Sequence, residues 1–228
     1  GPSIIAGRET RLGGGFGREL GGPEGGVSLD VRTLLALFAL TQALQVVVLS
    51  VQYALFRSYR GTGAFLLWSA AVGAGTVAFF LRDHATIGPA AIFAQSGLIV
   101  FGSLCLWAGF CRFHGRVEDR RLFAAVLVPF LGAHATFIWI VPDIDLRAVV
   151  LCVALVASAI LAAAELWRER AGESRPVALV LVAGLLAHAA LFAFRGVVLL
   201  SGARVDDVWE SAAFNVAPYV DGFLVTNL

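Results

Sequence analysis

His134, His188, Arg195, Gln42, Gln45, Gln95, Asn215, Tyr219 and Asp221 all fall inside long apolar runs of this 228-residue chain. A polar or charged side chain at bilayer depth costs several kcal/mol unless it is partnered, so these residues are where function is sought. Arg195 offers fixed positive charge to an anionic or carbonyl group, and the histidines offer hydrogen bonds sensitive to protonation. Each also has a purely architectural reading. Arg195 would pair with Asp221 or Asp207 or snorkel to the outer head groups; the histidines and Gln42, Gln45 and Gln52 would hydrogen-bond between helices.

Spacing sorts these residues further. His188 and Arg195, seven apart, share one helix face, as do Asn215, Tyr219 and Gly222. Pro218 interrupts the hydrogen-bond ladder beside Tyr219 and Asp221, which predicts a kink. At 1.5 Å per residue, Gln95, His134 and Arg195 come out roughly 10 Å below the outer surface, Asn215 slightly shallower and Gln42 slightly deeper. Gln45, Tyr219, His188 and Asp221 lie roughly 15–20 Å down. The two histidines thus differ in depth by roughly 10 Å, which disfavours bis-histidine haem. With no HExxH and no intramembrane carboxylate cluster, neither a metal nor any other cofactor is expected.

The elements that must hold these groups are membrane helices. Residues of the hydrophobic set make up 59% of the chain and charged residues 14%; the mean hydropathy is +0.84. A globule of this length has too little interior to hide so much apolar surface. Seven stretches are near the length that spans a bilayer: 31–56, 62–81, 88–111, 121–141, 146–167, 177–201 and 209–228. The predicted fold is an all-α, seven-transmembrane-helix bundle. Residues 1–26 are glycine-rich, without periodicity and without a signal-peptide core, and are expected to be a disordered tail. Gly1-Pro2 reads as a protease scar, the tail as non-native, and residues 27–228 as the membrane domain. The five tryptophans, mostly near span ends, read as interfacial anchors, with Trp68 the deeper exception.

All 17 basic residues are arginines. Without lysine there is no Schiff base of retinal or pyridoxal type and no phosphate-loop lysine. A net charge of +1 with dispersed arginines gives no nucleic-acid footprint. Cys105, Cys111 and Cys152 lack ligand spacing and read as packing residues. The connections after spans one, three and five carry Arg57 and Arg60; Arg112, Arg116, Arg120 and Arg121; and Arg168, Arg170 and Arg175. Those after spans two, four and six carry Arg82, Arg147 and Arg204 among five aspartates. The positive-inside rule puts the arginine-rich side in the cytoplasm, the N-terminus outside and the C-terminus inside. The last span stops at Leu228 without a polar anchor, which predicts a continuation into a further domain.

Several local features then resemble the multi-spanning sensor regions that precede GGDEF diguanylate cyclase or histidine kinase domains in bacteria. Asp30-Val31-Arg32-Thr33 opens span one, and Arg57-Ser58-Tyr59-Arg60 follows Phe56. Leu67-Trp68 lies in span two. Leu106-Trp107-Ala108-Gly109-Phe110, Arg112-Phe113 and Gly115-Arg116 mark the exit of span three. Arg195 also matches a position where such regions often carry arginine, whereas Gln95 stands where they often have asparagine. The similarity runs from Leu29 to Val117 and implies a coiled linker and a cytoplasmic output domain, which would pair two copies into a homodimer.

The reading that follows is a ligand-sensing module of the bacterial inner membrane, not itself an enzyme. A small polar or lipid-like ligand would contact the residues named at the outset in the outer half of the bundle and signal through span seven, with the Pro218 kink as the bistable element. A transporter or intramembrane enzyme using the same polar layer as a substrate path is the alternative, against which stands the absence of a repeated span pattern. A scaffold without ligand is a third reading.

Overall fold

Apolar runs bounded by arginine, aspartate, glycine or proline each become one helix. The computed structural model describes residues 31–55, 60–81, 87–168 and 175–201, with side chains from 36 onward in the first stretch. Six α-helices result: α1 (Val31–Leu55), α2 (Thr62–Phe79), α3 (Gly88–Phe113), α4 (Arg120–Ala135), α5 (Ile144–Arg168) and α6 (Arg175–Leu200). A π-helical turn, Thr136–Ile140, prolongs α4. No strand occurs among the described residues. With that turn counted into α4, all six are long and apolar enough to cross a membrane. The predicted seventh stretch, 209–228, and the tail 1–26 lie outside the described residues.

Local chemistry sets the helix ends. Asp119 accepts a 2.8 Å hydrogen bond from the Arg121 amide at the start of α4, and Asp143 accepts one of 2.9 Å from Leu146 at the start of α5. Proline occupies the first turn of α3, where its missing N–H costs nothing. Inside α4, Pro129 removes a ladder bond. Beyond it the ladder widens, and Val141 donates to the Thr136 carbonyl at 2.9 Å, five residues back.

The helices stand in a row, α1 on α2, α2 on α3, α3 on α5 and α5 on α6, with α4 packed against α5 and, less extensively, α3. Large apolar side chains point outward along the row, among them Leu40, Leu44, Val153, Phe194 and Val197. Water would penalise such a surface; hydrocarbon does not. The interior holds Val100, Leu104, Cys105, Cys111, Phe130, Cys152 and Leu155. Trp107, expected as an interfacial anchor, is buried with this core because it faces the α3–α5 seam, whereas Trp139 and Trp167 are exposed near helix ends.

Close approach of α2 and α3 depends on glycine. A Cβ on Gly102 would stand 3.0 Å from the Val72 side chain, and one on Gly109 2.6 Å from the Phe65 ring. Gly61, which precedes α2, has φ +96° and would bring a Cβ within 2.7 Å of the Gly109 carbonyl. Gly61→Ala is therefore expected to destabilise the protein by about 2–3 kcal/mol, adding left-handed strain to a backbone clash. Gly132 has nothing within 4 Å; Gly132→Ala should be neutral or stabilising by up to about 1 kcal/mol. Thermal unfolding of both variants in detergent checks the contrast.

Candidate functional site

The row of helices distributes the sequence-predicted residues over several seams. Gln42 and Gln45 lie on α1, which packs on α2; Gln95 lies on α3 and His134 on α4; His188 and Arg195 lie on α6, which packs on α5. Among the described helices α1 and α6 stand at opposite ends of the row. His134 and His188 accordingly sit on helices that share no extensive contact. Asn215, Tyr219 and Asp221 lie outside the described residues, as do Asp207 and Pro218.

In the α1–α2 seam the Ser69 hydroxyl lies 3.0 Å from Gln42 Oε1, 3.4 Å from Gln45 Oε1 and 3.3 Å from the Gln42 carbonyl. Its single proton is shared among these acceptors. Gln42 and Ser69 are fully buried, and a Cβ on Gly73 would stand 3.2 Å from the Gln42 Cβ. The arrangement joins two helices in the way small polar residues do in hydrocarbon.

His134 is enclosed differently. It is 1% exposed, and its ring stacks on Phe130 at 5.1 Å and 22° and on Phe93 of α3 at 6.0 Å and 29°. Neither ring nitrogen has a hydrogen-bond partner; the Ile92 carbonyl acts on the ring without reaching hydrogen-bond geometry. Leaving a buried polar group unsatisfied costs about 1–3 kcal/mol. The π-helical turn begins two residues further on, and such turns are frequent at functional positions.

Arg195 is buried in the α5–α6 seam, where a Cβ on the adjacent Gly196 would touch the Cys152 Cβ at 3.5 Å. His188, half-buried one heptad earlier, packs its ring on Phe192 at 4.7 Å. Gln95 is half-buried, and its backbone carbonyl lies 3.0 Å from where a Cβ of Gly75 on α2 would stand. Counted along α3, α4 with its π turn, and α6, Gln95, His134 and Arg195 are about 8–10 Å from the same end. They share a level, but Arg195 lies in the α5–α6 seam, apart from His134 against Phe93 of α3.

The other end carries a cluster that reading spans for ligands overlooks. Glu165, inside α5, has a side chain only 4% exposed. Arg116, in the connection after α3, approaches both its oxygens through Nη1, at 3.1 and 3.2 Å. Arg168 Nη1 is 3.6 Å from Oε2, and His114 Nδ1 is 4.0 Å from Oε1. Nearby, Arg112 Nε donates to Glu118 Oε2 at 2.9 Å while Nη2 binds Oε1, which holds the Glu118 carboxyl below the usual carboxylate range. A carboxylate inside span five, with arginines at the exit of span three, was the available signal. The pairing across 49 residues needed the fold.

Truncating Arg116 leaves a buried carboxylate short of its closest partner, whereas neutralising Glu165 frees two guanidiniums that reach solvent. Arg116→Ala should therefore cost about 2–3 kcal/mol and Glu165→Gln only about 1 kcal/mol. Unfolding midpoints in detergent check the order; the reverse order would exclude desolvation of Glu165 as the cause. Set against protein-family models, curated proteins and solved structures, the chain matches none of them.

Proposed function

We propose that the chain is a multi-pass sensor module of a bacterial cytoplasmic membrane that binds a small polar or amphiphilic ligand. It would pass the signal to a cytoplasmic output domain of diguanylate cyclase or histidine kinase type. One observation carries this reading: the buried imidazole of His134, held between two phenylalanines with neither nitrogen hydrogen-bonded. In hydrocarbon such a ring is stabilised by any molecule that brings a donor or an acceptor to it. The resemblance of Leu29–Val117 to sensor regions ahead of GGDEF or kinase domains supplies the output.

In this reading the arginine-rich end faces the cytoplasm by the positive-inside rule, and the end nearer His134, Gln95 and Arg195 faces outward. His134 recognises a carbonyl or hydroxyl, and its aromatic neighbours cover the ligand's apolar part.

A ligand signals only if it binds one helix packing more tightly than another. Among the described helices α4 is the one with an internal proline, and it passes into a π turn; such interruptions are where helices bend and shift register. Occupation of His134 would bias that segment, and the bias would reach the output through span seven at Pro218.

Native mass spectrometry of the chain released from bacterial membranes into lipid discs tests this reading. The wild-type chain is expected to retain a small molecule. His134→Leu, which fills the space between Phe93 and Phe130 without ring nitrogens, should lower its occupancy by about tenfold, the equivalent of one buried hydrogen bond. Absence of any retained molecule, or equal retention in the variant, contradicts the proposal.

A further inference from the structure

At the arginine-rich end a cavity of about 250 Å³ opens between the end of α3, the start of α4 and the end of α5. Its lining divides by chemistry. Trp107, Leu122 and Leu161 supply apolar walls, and Arg116, Asp119, Glu165 and Arg168 supply a polar edge. The position is where α3 and α5 end, the level at which a bilayer changes from hydrocarbon to head groups.

The charges at this edge are unevenly committed. Glu165 is buried and occupied by Arg116 and Arg168 together, while the two arginine side chains remain 48% and 61% exposed. Each guanidinium has five N–H donors, so both keep donors for a second acceptor. The neighbouring carboxylates are engaged: Glu118 by Arg112, and Asp119 by the Arg121 amide. The lining itself sets Arg116 and Arg168 against Glu165 and Asp119, a net charge of zero, while Arg112, Arg120 and Arg121 with Glu118 beside it bring the surroundings to +2. The exposed donors of the two guanidiniums, in these basic surroundings, attract an anion with oxygen acceptors, and the walls attract carbon.

We propose that this cavity is a binding site for an anionic phospholipid. Its phosphodiester accepts hydrogen bonds from Arg116 and Arg168, and its glycerol and first acyl carbons lie along Leu122 and Leu161. Arginine matches phosphate oxygens in pairs, and basic recesses between transmembrane helices take anionic head groups. Glu165 acts as a positioning residue: from its buried site it fixes both guanidiniums at the rim. Inorganic phosphate satisfies the arginines but leaves the Trp107, Leu122 and Leu161 walls uncovered, so the apolar half of the cavity selects the lipid.

The test uses the chain in discs containing equal phosphatidylglycerol and phosphatidylcholine, read by native mass spectrometry. Phosphatidylglycerol should be retained about tenfold over phosphatidylcholine, whose phosphodiester is the same but whose trimethylammonium brings positive charge against Arg116 and Arg168, and millimolar inorganic phosphate should not displace it. Two substitutions at exposed positions spare the fold. Leu122→Trp fills the apolar wall without touching a charge, and Arg168→Gln leaves Arg116 on Glu165; each should lower retention about tenfold. Equal retention of the two lipids, or unchanged retention in both variants, overturns the site. Displacement by inorganic phosphate makes free phosphate the ligand and overturns the lipid assignment. None of these outcomes depends on His134, so this site and the proposed sensing site stand or fall separately.

Discussion

Hydrocarbon offers no hydrogen-bond partner, and this constraint shapes every polar group in the six helices. Hydroxyls inside the spans turn back on their own helix: Thr41 to the Leu37 carbonyl, Ser50 to Val46, Thr76 to Val72, Ser103 to Ile99 and Thr136 to Gly132. Ser69 instead reaches across to Gln42 and joins α1 to α2. Backbone polar groups are answered within each helix, so packing between helices depends on shape. The glycines facing Val72 and Phe65 let α2 and α3 approach where leucines would hold them apart.

The same constraint sorts the charges. Arg112 and Glu118 pair beyond the end of α3 with the arginine side chain exposed, where the pair adds little stability. Glu165 is different because its carboxylate is buried, and its partners come from the α3 exit and from its own helix. It fastens the α3–α5 seam at one end. Toward the opposite end His134 has stacking partners but no hydrogen bonds, and α4 changes there from α to π geometry. One end of the bundle is fastened by charge; the other holds a polar group that its surroundings leave unsatisfied.

Much of this architecture was legible from residue order. The stretches predicted at 62–81 and 121–141 became helical over Thr62–Phe79 and Arg120–Ile140, because arginine, glycine and proline bound runs of bilayer length. Burial of Cys105, Cys111 and Cys152 was equally readable, since each sits in an apolar run without a ligand pattern. The lateral order of the helices was not. Matching depth suggested that Gln42, His134 and Arg195 share one hollow, yet depth gives position along a helix and not which helix stands beside which. Two of these residues came to lie in seams at the two ends of the row. Trp107 misled for a related reason: its place near a span end suggested an anchor, while its face of α3 meets α5. Glu165 escaped notice because its chemistry depends on Arg116, far away in the chain.

Six helices long and apolar enough to cross a bilayer would deliver the arginine-rich and aspartate-bearing connections to opposite faces. Single cysteines placed at Val117, after α3, and at Val141, between α4 and α5, and probed with a membrane-impermeant maleimide in sealed vesicles of known orientation, test it most directly. Val117→Cys is expected to be labelled only from the cytoplasmic face and Val141→Cys only from the other. Labelling of both from the same face would contradict it.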